Sequence, residues 1–176
     1  QAPDTMLLLP VADGINEARI RQLIAEAGVP VTLTHEMRYS LMGAADAAVA
    51  TSGTVIMEAA LMGLPCVVLY RLSPISYAIG RLLVHVENFS LPNILLGEQF
   101  EKELLQDAVT PENIAAELLR LYPGEESRDV VVTKLAAACE KLGAPGASAR
   151  VAEKILTAAR RLSESKGLSG EEHEEL

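Results

Sequence analysis

Apolar positions in the first ninety residues fall into short runs, separated by stretches with a helical repeat. Met6 to Leu9 is a continuous apolar run ended by Pro10, the pattern of a strand buried on both faces. Between Ile15 and Ala27, the residues Ile15, Ala18, Ile20, Leu23, Ile24 and Ala27 recur at helical spacing. Asp13 stands near the start of that helix, and Gly28 just past its end. Pro30–Thr34 predicts a second strand, a short helical turn passes through Tyr39, Leu41 and Met42, and Ala47–Thr51 predicts a third strand. Thr54–Met62 predicts a helix closed by Gly63, and Cys66–Tyr70 a fourth strand. Pro74–Val84 reads as helix, and Val84–Phe89 as a weaker extended segment.

Strand and helix alternating over short connections imply parallel strands, hence an α/β fold with a doubly wound, Rossmann-like sheet. Ligands of such sheets lie beyond the carboxyl ends of the strands, so the strand-to-helix loops are where chemistry is expected. After Asn93 the pattern is mainly helical. Thr110-Pro111-Glu112 is a helix start, with a capping hydroxyl, Pro in the first turn and an acid beside it. Val130–Leu142 and Ser148–Leu162 predict two more helices, separated by Gly143-Ala144-Pro145-Gly146. The expected organisation is one domain over residues 1–162 and an acidic, disordered tail over 163–176.

Composition narrows this picture. Of the 176 residues 49% are hydrophobic but only 3% aromatic, so the core rests on Leu, Ile, Val and Ala. The net charge of −9 is partly the tail, where Leu162–Leu176 carries five Glu and one Lys. Lys and Arg are scattered, which argues against a nucleic-acid surface. Cys66 and Cys139 lie in apolar surroundings and read as small buried thiols. The three histidines show no metal-ligand spacing with either of them. No apolar run reaches the length of a membrane span. The chain opens on Gln1-Ala2-Pro3-Asp4 directly before a strand, from which an N-terminal truncation is expected.

The most informative segment is Ala50-Thr51-Ser52-Gly53-Thr54-Val55-Ile56-Met57-Glu58. A buried strand runs into Ser-Gly-Thr and a helix begins at once, which offers free N–H groups and hydroxyls to a phosphate. Gly53 lets a ligand approach the backbone, and Glu58, one turn past Thr54, is placed to accept hydrogen bonds from a diol. The plainer alternative is a turn with an N-cap and a solvated glutamate. Asn93 follows Pro92 in what reads as a loop after a strand, where its amide either meets a diphosphate or bonds its own backbone. Arg71 follows the fourth strand. It neutralises a diphosphate, joins Arg81 and His85 on an interfacial helix with Ile75, Tyr77, Ile79, Leu82 and Leu83, or is simply solvated. His35-Glu36-Met37, after a strand end, reads as a loop with a possible backbone role at a base pocket.

Ala45-Asp46, Ala50-Thr51-Ser52-Gly53-Thr54, Glu58-Ala59-Ala60-Leu61 and Gly63-Leu64-Pro65 together resemble the signature of lipid-A-disaccharide synthases. The likeness continues through Val67-Val68, Tyr70, Ser73-Pro74 and Ser90-Leu91-Pro92-Asn93-Ile94-Leu95. It then runs through Glu103-Leu104-Leu105-Gln106 to Thr110-Pro111-Glu112-Asn113. Ser-Gly-Thr alone is common among two-domain transferases; its coupling to Ser-Leu-Pro-Asn-Ile-Leu is specific. The resemblance implies a glycosyltransferase of the two-Rossmann (GT-B) type. Such an enzyme moves 2,3-diacylglucosamine from UDP onto 2,3-diacylglucosamine 1-phosphate, forming a β-1,6 disaccharide. It implies Ser52, Gly53 and Thr54 at the diphosphate, Glu58 at the ribose, and Asn93 as the catalytic candidate near the diphosphate and reacting centre. It also implies a cytoplasmic protein, peripheral on the inner face of the inner membrane of a Gram-negative bacterium, with a homodimer as a further expectation.

No cofactor is implied. No Asp-x-Asp occurs, so no metal is expected at the diphosphate. G-x-G-x-x-G, G-x-x-x-x-G-K and G-x-S-x-G are missing too, against the commoner nucleotide and hydrolase sites. The family's first strand of this domain, with its Gly-Ser-Arg loop, and its acceptor domain with the general base are expected to lie outside this sequence. A central strand of the sheet would then be wanting. The competing expectations are another UDP-N-acetylglucosamine transferase or 2-epimerase, and a nucleotide-binding module without catalysis.

Overall fold

The computed structural model describes residues 5–35, 37–73, 77 and 88–168, with side chains as far as 162. The expected helix Pro74–Val84 and the interfacial set, apart from Arg71 and Tyr77, lie outside the described residues, as does the end of the acidic tail. Five strands are described: β1 (Leu7–Pro10), β2 (Val31–Thr34), β3 (Ala48–Thr51), β4 (Cys66–Tyr70) and β5 (Glu103–Leu105). The helices are α1 (Glu17–Ala27), α2 (Arg38–Ala44), α3 (Thr54–Leu61), α4 (Leu91–Leu96), α5 (Pro111–Arg120), α6 (Glu126–Glu140) and α7 (Ala147–Leu168).

All strand pairs are parallel, and the fold is α/β and Rossmann-like. The sheet is in two pieces: β1 pairs with β2, and β3-β4-β5 form a second sheet centred on β4. Among the described residues β1 and β3 each have one hydrogen-bonded neighbour, so each keeps an unpaired edge.

The core gathers around β4. Its residues alternate between two apolar clusters, as the two-residue period of a strand requires. Val67 packs with Ala60, Leu104, Leu121, Val131 and Leu135, while Cys66 and Val68 pack with Ile56, Ala59 and Leu64. Leu135 of α6 is wholly buried, a contribution of about 1.5–3 kcal/mol for a side chain of that size. The strand expected to be buried on both faces is therefore found at β4. The same expectation fails for β1, whose four residues are all exposed, and α1 only half-buries Ile20 and Ile24 of its apolar face. Periodicity reports which face is apolar; whether anything covers it depends on partners elsewhere in the fold.

Local signals account for most helix ends. Gly28 adopts the left-handed conformation (φ 64°) that closes α1, and Thr110 accepts the Asn113 N–H at 3.2 Å to cap α5. The cap of α1 is Asn16, whose Oδ1 accepts from the Arg19 N–H, and not Asp13. Leu91-Pro92-Asn93 is the first turn of a helix and not a loop, because a Pro there gives up an N–H that has no helical acceptor anyway. The strand β5 carries no apolar run long enough to announce it.

The chain divides into two compact units, Gln1–Lys141 and Leu142–Leu176. In the second unit α7 continues to Leu168, past the expected end at Leu162, since Ser163-Glu164-Ser165-Lys166 contains no breaker. Arg150 donates to the carbonyls of Pro145 (2.8 Å) and Ala144 (3.0 Å) at its start. Val151, Ile155, Leu156 and Leu162 of this helix are exposed. No helix among the described residues is long and apolar enough to cross a membrane.

Candidate functional site

The carboxyl ends of β3, β4 and β5 bring most of the expected site residues together. The Ser52 N–H continues the β3–β4 ladder to the Leu69 carbonyl at 2.9 Å, and α3 begins two residues later. As at any helix start, the N–H groups of Thr54 and Val55 have no acceptor within the helix. Gly53 is extended, and a Cβ built on it meets nothing nearer than the Thr51 carbonyl oxygen at 4.0 Å. Neither backbone conformation nor packing among the described residues demands glycine there. Thr54 is exposed, and the half-buried Glu58 follows one turn on along α3.

Glu58 does not stand alone. Arg38, at the start of α2, places Nη2 at 3.3 Å from its Oε1. The same nitrogen donates to the Tyr39 hydroxyl at 2.7 Å, and the guanidinium lies 4.7 Å from the centre of the Tyr39 ring. The Tyr39 hydroxyl and then the Glu58 carboxylate raise the Arg38 guanidinium above its ordinary range. Sequence reasoning missed Arg38. It is twenty positions from Glu58 on another element, and no local spacing signals such a pair.

Two expected ligand groups are committed within the protein. The Ser52 hydroxyl donates to the Phe89 carbonyl at 3.0 Å, so its proton is not turned to a phosphate. Asn93 is wholly buried. Its Nδ2 donates to the Glu101 carbonyl (2.9 Å) and Glu103 Oε1 (2.7 Å), and its Oδ1 accepts from the N–H groups of Phe100 (3.1 Å) and Glu101 (3.0 Å). Those four bonds use the amide's two donors and two acceptor sites. The expected direct contact of Asn93 with a diphosphate therefore has no group left to make it. Its partners are the backbone of Phe100 and Glu101 and the Glu103 side chain, on the segment that leads into β5.

Arg71 is exposed just past β4 and has no ion pair among the described residues. The backbone beside it is held: Gln106 Oε1 accepts from the Leu72 N–H at 2.6 Å and Gln106 Nε2 donates to the Leu72 carbonyl at 3.1 Å. On the other side Glu103 accepts from the N–H groups of Phe89 (2.7 Å) and Ser90 (2.8 Å). The Tyr70 and Phe89 rings stack with centres 5.9 Å apart. His35 pairs with Glu17 of α1, its Nε2 at 3.3 Å from the carboxylate, and is exposed.

Behind the loops, Glu101 is buried at 1% exposure and accepts from the Cys66 N–H at 2.9 Å through Oε1, while its Oε2 has no partner among the described residues. Burial, reinforced by Glu103, pushes its carboxyl up to about 7. Burial and then Glu101 push the thiols of Cys66 and Cys139 up, and both are free cysteines.

A cavity of about 230 Å³ lies elsewhere, lined by Val67, Phe100, Lys102, Arg120, Leu121 and Val131 among others. Its lining comes from Val67 of β4 and the segment just before β5, with α5 and α6, whereas the Ser-Gly-Thr loop is at the carboxyl edge. What that edge offers a ligand is a row of N–H groups, the Thr54 hydroxyl and the Arg71 guanidinium, with a carboxylate one helical turn away. Such a set suits an anion joined to a diol.

The chain is similar to proteins of known family. The family model described as lipid-A-disaccharide synthetase matches residues 1–154. A lipid-A-disaccharide synthase of Geobacter sulfurreducens is 38% identical over 154 residues, covering 88% of this chain and 40% of the relative. That of Syntrophus aciditrophicus is 42% identical over 151 residues (85% and 39%), and that of Nitrosococcus oceani 40% identical over 153 residues (87% and 39%). The chain thus spans about 40% of the length of these curated relatives. With the match running through both sheets and the Ser-Gly-Thr loop, the chain belongs to the lipid-A-disaccharide synthetase family.

Proposed function

We propose that this chain is the UDP-holding part of a glycosyltransferase that moves 2,3-diacylglucosamine from UDP to 2,3-diacylglucosamine 1-phosphate. The observation that carries the reading is Gly53, a glycine that the protein itself does not need, at the start of a helix on the carboxyl edge of the sheet. The diphosphate sits against the N–H groups of Gly53, Thr54 and Val55, with the Thr54 hydroxyl and Arg71 beside it. Glu58 takes the ribose diol through the oxygen that Arg38 leaves open. Ser52 and Asn93 act from behind, by fixing the Phe89–Glu103 segment on which the loop rests.

The leaving group is then stabilised by N–H dipoles and a guanidinium, with no divalent cation required. The general base and the acceptor site belong to a further domain outside this sequence. A further parallel strand, pairing with the edges that β1 and β3 leave unpaired among the described residues, would join the two sheets and cover the exposed Leu7, Leu8, Leu9 and Val49. Acylated substrates place the work at the inner face of the inner membrane of a Gram-negative cell. The dimer expectation attaches to α7, whose apolar residues are uncovered.

The test is titration of UDP by calorimetry in the presence of chelator. Binding is expected without metal, and Glu58→Ala is expected to weaken it by about 1–3 kcal/mol, the scale of a lost charged hydrogen-bond acceptor. An absolute requirement for Mg²⁺ would overturn the site as drawn.

A further inference from the structure

The register of the second sheet pairs Tyr70 with Leu105, so the next rung would join Arg71 to Gln106. That rung is replaced. At Gln106 the backbone enters the left-handed region (φ 50°), where a side chain is rarely found, and the chain leaves the sheet in a 3-10 turn over Gln106–Ala108. The turn frees the Gln106 amide to do what a strand would do: it takes the N–H of Leu72 and gives to its carbonyl. A backbone conformation of this kind persists only where the surroundings hold it, and it is found most often at functional sites.

We propose that Gln106 is a positioning residue of the nucleotide site, fixing through Leu72 the direction in which Arg71 meets the diphosphate. This rests on the reading of Arg71 given above. A guanidinium on a loop with one free end spends its attraction on ordering that loop. One whose following residue is bonded at both its N–H and its C=O is ordered before the ligand arrives. Glu103 makes the matching contact on the far side, with the N–H groups of Phe89 and Ser90, and through the Phe89 carbonyl it sets the Ser52 hydroxyl. Gln106 thus acts on the charged group at the site, and Glu103 on the loop that supports it.

The experiment compares UDP with uridine, which lacks the diphosphate, as ligands of the full-length enzyme containing this chain. The variants are Gln106→Ala, Gln106→Gly, Arg71→Ala and the double variant Arg71→Ala with Gln106→Ala. Glycine accepts the left-handed backbone and lacks only the amide, so Gln106→Gly keeps the comparison valid if Gln106→Ala folds poorly. Gln106→Gly is expected to lower UDP affinity about three- to tenfold, to leave uridine unchanged, and to reduce the salt dependence of UDP binding. In the Arg71→Ala background the Gln106 change should cost little more. Equal losses for UDP and uridine would make Gln106 a general structural residue and overturn the proposal. If Arg71→Ala weakens UDP and Gln106→Gly does not, the positioning claim alone falls. Unchanged UDP binding in Arg71→Ala would remove Arg71 from the site, and the proposal with it.

Discussion

Glu101 is the carboxyl group whose chemistry departs most from its ordinary value among the described residues. In the unfolded chain its carboxyl titrates near 4.5, and in the fold near 7, because burial and the nearby Glu103 oppose its charge. The native state therefore holds the proton more tightly, and its contribution to stability is complete below pH 4.5. As pH rises toward and through 7 that contribution is lost, up to about 2–3 kcal/mol. Glu101→Gln keeps an acceptor for the Cys66 N–H and cannot ionise. Relative to the parent it should gain that amount between pH 4.5 and 8, read from denaturant melts at each pH. A difference between the two proteins that stays flat with pH would mean that Glu101 does not titrate in this window.

At the scale of elements, Asn93 joins the first turn of α4 to the start of β5 through four hydrogen bonds. Asn93→Ala leaves two buried N–H groups, a carbonyl and a carboxylate without that partner, and should destabilise the fold by about 3 kcal/mol or more. Asn93→Asp keeps the acceptor for Phe100 and Glu101 but sets a second carboxylate against Glu103. It should be no better at neutral pH and recover on acidification, as calorimetric melting would record. A normal melt with lost turnover in Asn93→Ala would return Asn93 to the reacting centre.

The same elements mark how far sequence carries. Thr54–Leu61, Cys66–Tyr70 and the Thr110 cap were legible because each is fixed by neighbours within a turn or a strand length. The position of Gly53 before a helix was legible for the same reason. Arg38, Glu101, Glu103 and Gln106 were not, since their partners at Glu58, Cys66, Phe89 and Leu72 are fourteen or more positions away and meet only when the sheet forms. Asn93 reads as a loop residue from the extended bias that Pro92 gives Leu91, whereas Pro92 stands in the first turn of α4, where a helix admits proline.

For the whole molecule, the two-piece sheet decides how the chain behaves alone. β1 and β3 carry unpaired edges next to exposed apolar residues, an arrangement that templates pairing with other chains. The chain on its own is expected to self-associate in sedimentation and to melt broadly, and a partner strand that pairs with those edges should restore a single sharp transition. A monomer with one sharp calorimetric transition on its own would mean that these edges need no partner strand.

β4 is the only described strand with neighbours on both sides, and its Cys66, Val67 and Val68 are buried on both faces. Its backbone hydrogens are therefore reached by solvent only when the whole β3-β4-β5 unit opens, whereas those of the β1-β2 pair are reached by separating two strands. In deuterated buffer the chain should not exchange at one rate. Peptides covering Leu7–Pro10 and Val31–Thr34 should take up label first, and the peptide covering Cys66–Leu69 last, at a rate that follows global stability. The Ser-Gly-Thr loop hangs from β4 through the Ser52–Leu69 bond, so the proposed nucleotide site is anchored to the strand expected to exchange last among those described.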